Sequence, residues 1–323
     1  MTVEVDPSDR ELPYPSGWFF LALSRELAPG RVLTRRLAGA DVVLYRTDDG
    51  TPYAVHPYCP HLGAHFGAGG TVEGLNLVCP FHHFAFAPDG TCVATPDGRP
   101  PRARVEHHTI RERNGMVFGW YAPDGTGPTW EAPETAPGGV VPTALWSIEV
   151  HAPAQELPEN ACDYRHLPVV HRVTLRELDP PKAEGPYLRY RLRLGPARPA
   201  ALRRFQVDHS FLMAGLGCLR VEAPLPRLGL VTYLWALHTP TASGRTLLTV
   251  ASACSGSRSP RPASTSPLHR AVAHGLLLGA TRKVLQDVTI WNAKRYEPRP
   301  RLTTGDEAIG LYRHWVRQFY PPP

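Results

Sequence analysis

What the chain lacks narrows it first. Across 323 residues, no apolar run approaches the roughly 18 residues that a membrane-spanning helix needs, so no transmembrane segment is expected. The opening stretch, MTVEVDPSDRELPYPSG, has no basic region followed by an apolar one, so no secretory signal is expected either. Cysteine is scarce, at six residues. Four of them, Cys92, Cys162, Cys218 and Cys254, are scattered singly, which argues against a disulfide framework and for a reducing, cytoplasmic setting. No long block of like charge is present. The net charge of +6 is dispersed, with small clusters at Arg35–Arg36, Arg203–Arg204 and Arg299 to Arg301, and no nucleic-acid motif accompanies them. Internal repeats are absent as well.

What is there is a pair of mixed motifs, Cys59-Pro60-His61 and Cys79-Pro80-Phe81-His82, with 17 residues between them. Each offers one thiolate and one imidazole. A Rieske [2Fe–2S] cluster needs two Cys on one iron and two His on the other. Neutral imidazoles leave such a cluster less negative and raise its potential to about −150 to +300 mV, suited to feeding an oxidising site. A structural zinc site is the competing reading, but it usually groups Cys with Cys and His with His. Gly63, Gly67, Gly69 and Gly70 let the intervening backbone turn tightly. His56, His65 and His83 lie off the spacing and read as loop residues or as outer partners of the ligands, and Cys92 as a small buried thiol.

Length predicts about two domains. Residues 17–125 read as short strands between turns, at Trp18–Leu23, Val32–Leu37, Asp41–Arg46, Tyr53–His56 and Val117–Tyr121, a small antiparallel β-domain with the cluster at its tip. Residues 122–142 are rich in Pro and Gly and read as a linker. A second domain, 126–323, is expected to hold sheet strands at Trp146–His151, Arg189–Leu194, Phe205–Leu212, Leu230–His238 and Thr246–Ala251. A helix is expected over Glu159–Val173. Ser252–Ser266 reads as a polar loop. Ser266-Pro267 then opens a long helix running to about Ile290, with Leu268, Val272, Leu276 and Ala280 on its apolar face. The fold class expected is α+β: an all-β cluster domain, then a helix-grip-like antiparallel sheet with helices.

The first helix candidate carries Asn160, Asp163, His166 and His171. Two His five apart can converge on one metal if the helix distorts, and Pro168 supplies a break because it has no N–H to donate. Non-haem Fe(II) oxygenases hold iron with two His and one carboxylate and leave positions open for dioxygen. Asp287 is the strongest carboxylate. It lies near a helix C-terminus, where an anion is disfavoured, and is flanked by Val284, Leu285, Val288 and Ile290. Glu297, Asp306 and Glu307 lie in more polar sequence. The substrate pocket is expected between the sheet and the long helix. The runs Phe205, Val207, His209, Phe211 and Tyr233, Trp235, Leu237 read as ordinary core.

The two motifs in this order resemble the α-subunit of a Rieske non-haem iron oxygenase. The segment Gln155–Leu167 (QELPENACDYRHL) and the stretch Gln286–Lys294 (QDVTIWNAK), followed by Pro300, Leu302, Asp306, Arg313, Trp315, Gln318, Phe319 and Tyr320, are similar to its sterol-acting branch, which includes cholesterol 7-desaturase and 3-ketosteroid 9α-hydroxylase oxygenases. The resemblance implies Cys59, His61, Cys79 and His82 on the cluster and His166, His171 and Asp287 on a mononuclear Fe(II). It implies that Asp163 links the iron centre to a cluster His of a neighbouring subunit in a homotrimer, and that Asn160 lines the open side of the iron. It further implies hydroxylation or desaturation of a C–H bond in a steroid-like apolar substrate, with electrons from NAD(P)H through a ferredoxin or ferredoxin reductase. An acidic partner of that kind could dock on the basic surface. A non-catalytic electron carrier with a lipid-binding domain is the alternative; it would need no second metal.

Overall fold

The computed structural model describes residues 12–197, 205–257 and 266–321. Aromatic and β-branched runs cut by Gly, Pro and Asp give ten short strands in the first part. These are β1 (Gly17–Leu23), β2 (Val32–Leu37), β3 (Ala40–Arg46), β4 (Pro52–Val55), β5 (Thr71–Glu73), β6 (Asn76–Val78), β7 (Ala85–Phe86), β8 (Cys92–Ala94), β9 (Ile110–Arg113) and β10 (Met116–Tyr121). They pair as three small sheets, β1-β10-β9, β2-β3-β4 and β5-β6-β7-β8. One Cys–His loop leads from β4 into β5, and the other joins β6 to β7.

Seven longer strands form a single antiparallel sheet: β11 (Ala144–Val150), β12 (Val173–Glu184), β13 (Tyr187–Pro196), β14 (Val207–Ala214), β15 (Cys218–Leu225), β16 (Leu230–Ala242) and β17 (Arg245–Gly256). Their order is β11-β17-β16-β15-β14-β13-β12, a meander with β11 added at one edge. Two short helices, α1 (Glu156–Glu159) and α2 (His166–Val170), follow β11. The long α3 (Pro267–Trp291) packs on β17, β11 and β16, and α4 (Glu307–Trp315) closes the chain. The α+β expectation holds, with a sheet gripped by one long helix. Among the described residues, no helix is long and apolar enough to cross a membrane.

Several expectations need correction. The helix expected over Glu159–Val173 is two short ones. Pro168 does not break them apart; it sits in the first turn of α2, where no N–H is required. The break lies earlier, at Cys162–Arg165, and Arg172, with φ of 54°, ends the segment so that Val173 can enter β12. Strand β12 was not foreseen because Pro180 and Pro181 lie within it; it is an edge strand with two register shifts, where proline is tolerated. Ser252–Gly256 is not loop but the end of β17: the Ser252 hydroxyl donates to the Ala273 carbonyl at 2.8 Å, which removes the cost of burying it. The rest of that expected loop, and Arg203–Arg204, fall outside the described residues.

Nor is the Pro/Gly-rich stretch a loose linker. Ala132, Ala136 and Val140 are buried with Trp18, Trp120 and Trp235, and the Trp18 indole N–H donates to the Trp130 carbonyl at 2.9 Å. This aromatic cluster fixes the cluster-bearing half against the outer face of the large sheet. Tyr233, Trp235 and Leu237 belong to it, so their reading as core is correct. On α3 the buried line is Ala273, Leu277 and Val288, one position on from the expected face, and Leu268 is exposed.

Candidate active site and its two metal centres

The two Cys–His loops are hairpin turns closed by backbone bonds. Cys59 N–H donates to Ala64 O at 2.8 Å, and Cys79 N–H to Phe84 O at 2.9 Å. Gly63 (φ 75°) and Gly69 (φ 109°) occupy left-handed positions that other residues avoid. The thiols point inward, each Cys being 2% exposed, while the imidazoles lie outside. His61 stacks on Phe84 at 4.2 Å between ring centres, and His61 and His82 stand 4.8 Å apart. Burial pushes the Cys59 thiol up to about 11, so a thiolate there calls for a cation. Cys92, also buried, packs in the same cluster as Cys59 and Cys79. Two sulfurs inside and two imidazole rings outside is the donor layout of a [2Fe–2S] cluster with one Cys₂ iron and one His₂ iron.

Among the described residues, one set brings three metal-binding donors within 4.8 Å of one another: His166, His171 and Asp287. The broken helical segment supplies both His, and α3 supplies Asp287 from 116 residues further on. His166 Nδ1 lies 2.5 Å from the Asp163 carbonyl oxygen, and His171 Nδ1 lies 2.9 Å from Gln286 Oε1. A carbonyl only accepts, so each ring carries its hydrogen on Nδ1 and presents Nε2. His171 Nε2 is 3.1 Å from Asp287 Oδ2. Burial pushes His166 below its ordinary value, which favours the neutral, metal-binding form. For His171, burial also lowers the value, but its bonds to Asp287 and Gln286 outweigh this and raise it. Asp287 is 6% exposed among apolar neighbours, as expected of a carboxylate held for a cation. This donor set fits a facial two-His, one-carboxylate iron.

Asn160 Nδ2 lies 3.2 Å from His166 Nε2 and lines the adjoining cavity. Asp163 accepts the backbone N–H of Arg165 and of His166, and its Oδ2 is 3.8 Å from His166 Nδ1. Arg165 directs its guanidinium to Asp306 at 3.2 Å, so no local salt bridge consumes Asp163. Asp306 and Glu297 do not join the metal-binding set, and Glu307 caps the N–H of Gly305. Gln286 was not anticipated: nothing in the sequence distinguishes an outer hydrogen-bond partner from any other polar neighbour of Asp287.

The cavity, about 480 Å³, lies between the sheet and α3, as expected. His166, His171 and Asp287 open into it, and Leu276 and Ala280 face it from the helix. His209 and Phe211 line it too, so their reading as plain core is corrected; Phe205 is exposed and Val207 lies off this cavity.

Comparison with known proteins agrees with this geometry. Residues 17–109 match the Rieske [2Fe-2S] domain, and residues 119–320 match the 3-ketosteroid 9alpha-hydroxylase C-terminal domain. The chain is 31% identical over 320 residues to cholesterol 7-desaturase of Bombyx mori, covering 95% of this chain and 70% of that protein. It is 26% identical over 328 residues to a probable 3-ketosteroid-9-alpha-monooxygenase oxygenase component of Rhodococcus rhodochrous, covering 95% and 80%. Its fold matches that of apo dicamba monooxygenase with a TM-score of 0.71 at 17% identity, over 95% of this chain and 98% of that one. The chain belongs to the Rieske non-haem iron oxygenases, in the branch with the sterol desaturases and ketosteroid monooxygenases. It is an oxidoreductase of that family, with a Rieske [2Fe–2S] domain and a His–His–Asp set that fits a mononuclear non-haem iron. The reading as a pure electron carrier loses to this family membership.

Proposed function

We propose that this chain oxidises a C–H bond of a steroid or sterol-like molecule, by hydroxylation or desaturation, with Cys59, His61, Cys79 and His82 holding the cluster and His166, His171 and Asp287 holding the iron. The observation that carries the proposal is the convergence of those last three residues within 4.8 Å at the wall of a mostly apolar cavity. When bound, the cluster would supply single electrons and the iron would supply dioxygen activation. The chain's own residues do the rest. The Asp163 carbonyl and the Gln286 side chain orient the two imidazoles, and Asn160 borders the side of His166 that faces the cavity. Apolar walls exclude water and hold the substrate skeleton by burial.

The cluster-bearing domain is taken as 17–125 and the catalytic domain as 126–323. Asp163 is assigned as the link to His82 of another chain in a homotrimer. Its partly exposed carboxylate, free of the Arg165 guanidinium, supports this, as do Phe81 and Leu62, 60% and 67% exposed beside the cluster loops as an apolar rim. A ferredoxin or ferredoxin reductase is the assigned electron donor. The free, buried cysteines favour a reducing compartment such as the cytoplasm.

The test is mass spectrometry of products after incubation with a ferredoxin and reductase pair, NAD(P)H and a panel of sterols and ketosteroids. A product shifted by one oxygen or by loss of two hydrogens, dependent on NAD(P)H, is expected. Turnover of small aromatic acids with none of any steroid would overturn the substrate class.

A further inference from the structure

The cavity has a polarity of its own beside the metal-binding set. Its floor is the face of β16 that presents Thr232, Leu234, Ala236 and His238. The ends are polar and the middle is apolar. Thr232 and His238 stand about 20 Å apart at roughly 3.3 Å per strand residue. That span suits a long apolar molecule with a polar group at one end.

His238 is 2% exposed. Its Nδ1 lies 3.1 Å from the Leu216 carbonyl oxygen, which can only accept, so Nδ1 carries the hydrogen. Burial lowers the ring to about 4, so it stays neutral and Nε2 is a bare acceptor. Among the described residues no donor reaches Nε2, and the ring forms part of the cavity wall. At the other end, the Thr232 hydroxyl is committed to the Ala223 carbonyl at 3.0 Å. The floor therefore presents acceptors and no free hydrogen. A buried acceptor needs a donor from the ligand.

We propose that His238 Nε2 is a specificity-determining group that accepts a hydrogen bond from a substrate hydroxyl, so that the cavity prefers a sterol alcohol to the corresponding ketone. This rests on the steroid reading above and sharpens it. A ketone brings another acceptor, and two lone pairs would then face each other in a site that excludes water. Two other groups line the cavity: Lys283, whose ammonium could donate to a ketone and is pushed below its ordinary value by burial, and His209, whose Nδ1 likewise faces a carbonyl, Val207 O at 2.8 Å.

The test is equilibrium binding of tritiated 5α-cholestan-3β-ol and 5α-cholestan-3-one to purified holoprotein, which needs no turnover. The two probes share one skeleton and differ only at the polar end. Wild type should bind the alcohol roughly tenfold more tightly, the scale of one buried hydrogen bond. His238→Asn keeps a side-chain N–H for the Leu216 carbonyl, but its shorter amide places no acceptor where Nε2 stands, and it should bring the ratio to about one. Equal affinities, a preference for the ketone, or an alcohol preference that survives His238→Asn would overturn the assignment while leaving the steroid reading intact. Loss of the preference in Thr232→Val or His209→Asn but not in His238→Asn would overturn it by moving the role to that residue. Binding of neither probe would overturn the steroid reading and this inference with it.

Discussion

The two metal centres are built by opposite means. The thiolate–imidazole centre draws its four candidate ligands from two neighbouring loops, each closed by its own backbone bonds, Cys59 N–H to Ala64 O and Cys79 N–H to Phe84 O. The His–His–Asp centre joins a broken helical segment to a helix 116 residues away. That second centre keeps its shape through tertiary contacts. Arg313 on α4 grips Glu159 at 2.7 and 2.9 Å, the Tyr312 hydroxyl donates to Gln155 O at 2.7 Å, and Lys294 meets Glu156 at 3.0 Å. Glu156 is buried and pushed above the usual carboxylate range by desolvation. The difference teaches that the first centre should fail only when a ligand is lost, whereas the second should also fail when a distant support is removed.

The largest effect separates the centres at their ligands. Cys79→Ala should abolish the [2Fe–2S] absorption and the Rieske EPR signal, and with them all turnover, while iron at His166, His171 and Asp287 remains. A wild-type Rieske signal in that variant would break the comparison at its start.

A smaller effect sharpens the tertiary side of it. Arg313→Ala leaves Glu159, 8% exposed, as a buried carboxylate without a partner, which costs about 3–5 kcal/mol. The melting temperature should fall by roughly 10 °C, and mononuclear iron should be lost before the cluster is. Metal analysis alongside EPR of the same sample checks this. Equal loss at both centres would show that they share one support.

Smaller again is the effect of Asp163→Ala. The Asp163 side chain holds neither proposed metal, so both should stay bound. Reoxidation of a pre-reduced cluster, in the presence of substrate and oxygen, should slow by about 10- to 100-fold, the range seen when a group that orients metal-site ligands is removed. An unchanged single-turnover rate would mean that electrons pass between the centres without it.

How much of this was legible in the sequence follows the same division. The four proposed cluster ligands could be picked out directly, because each Cys–His pair is close in sequence and sits in one loop. His166 and His171 could be read as a pair, but the reason they converge could not: the chain breaks at Cys162–Arg165, not at Pro168. Asp287 stood out as a carboxylate among apolar residues. Gln286 and His238 did not, because an outer hydrogen-bond partner and a cavity acceptor acquire their roles only when β15, β16 and α3 come together. Strand β12 was hidden by its prolines, which only an edge position tolerates. The buried path of residues 122–142 was hidden because proline and glycine punctuate a loop whether or not tryptophans pack around it.

The most direct test of the account is the metal content of Asp287→Ala, measured with its EPR spectrum. Wild type should hold about three irons per chain, two in the cluster and one at the His–His–Asp centre. The account predicts that Asp287→Ala keeps the Rieske signal, holds about two irons and forms no product. Three irons with full turnover in that variant would contradict the assignment of the catalytic centre.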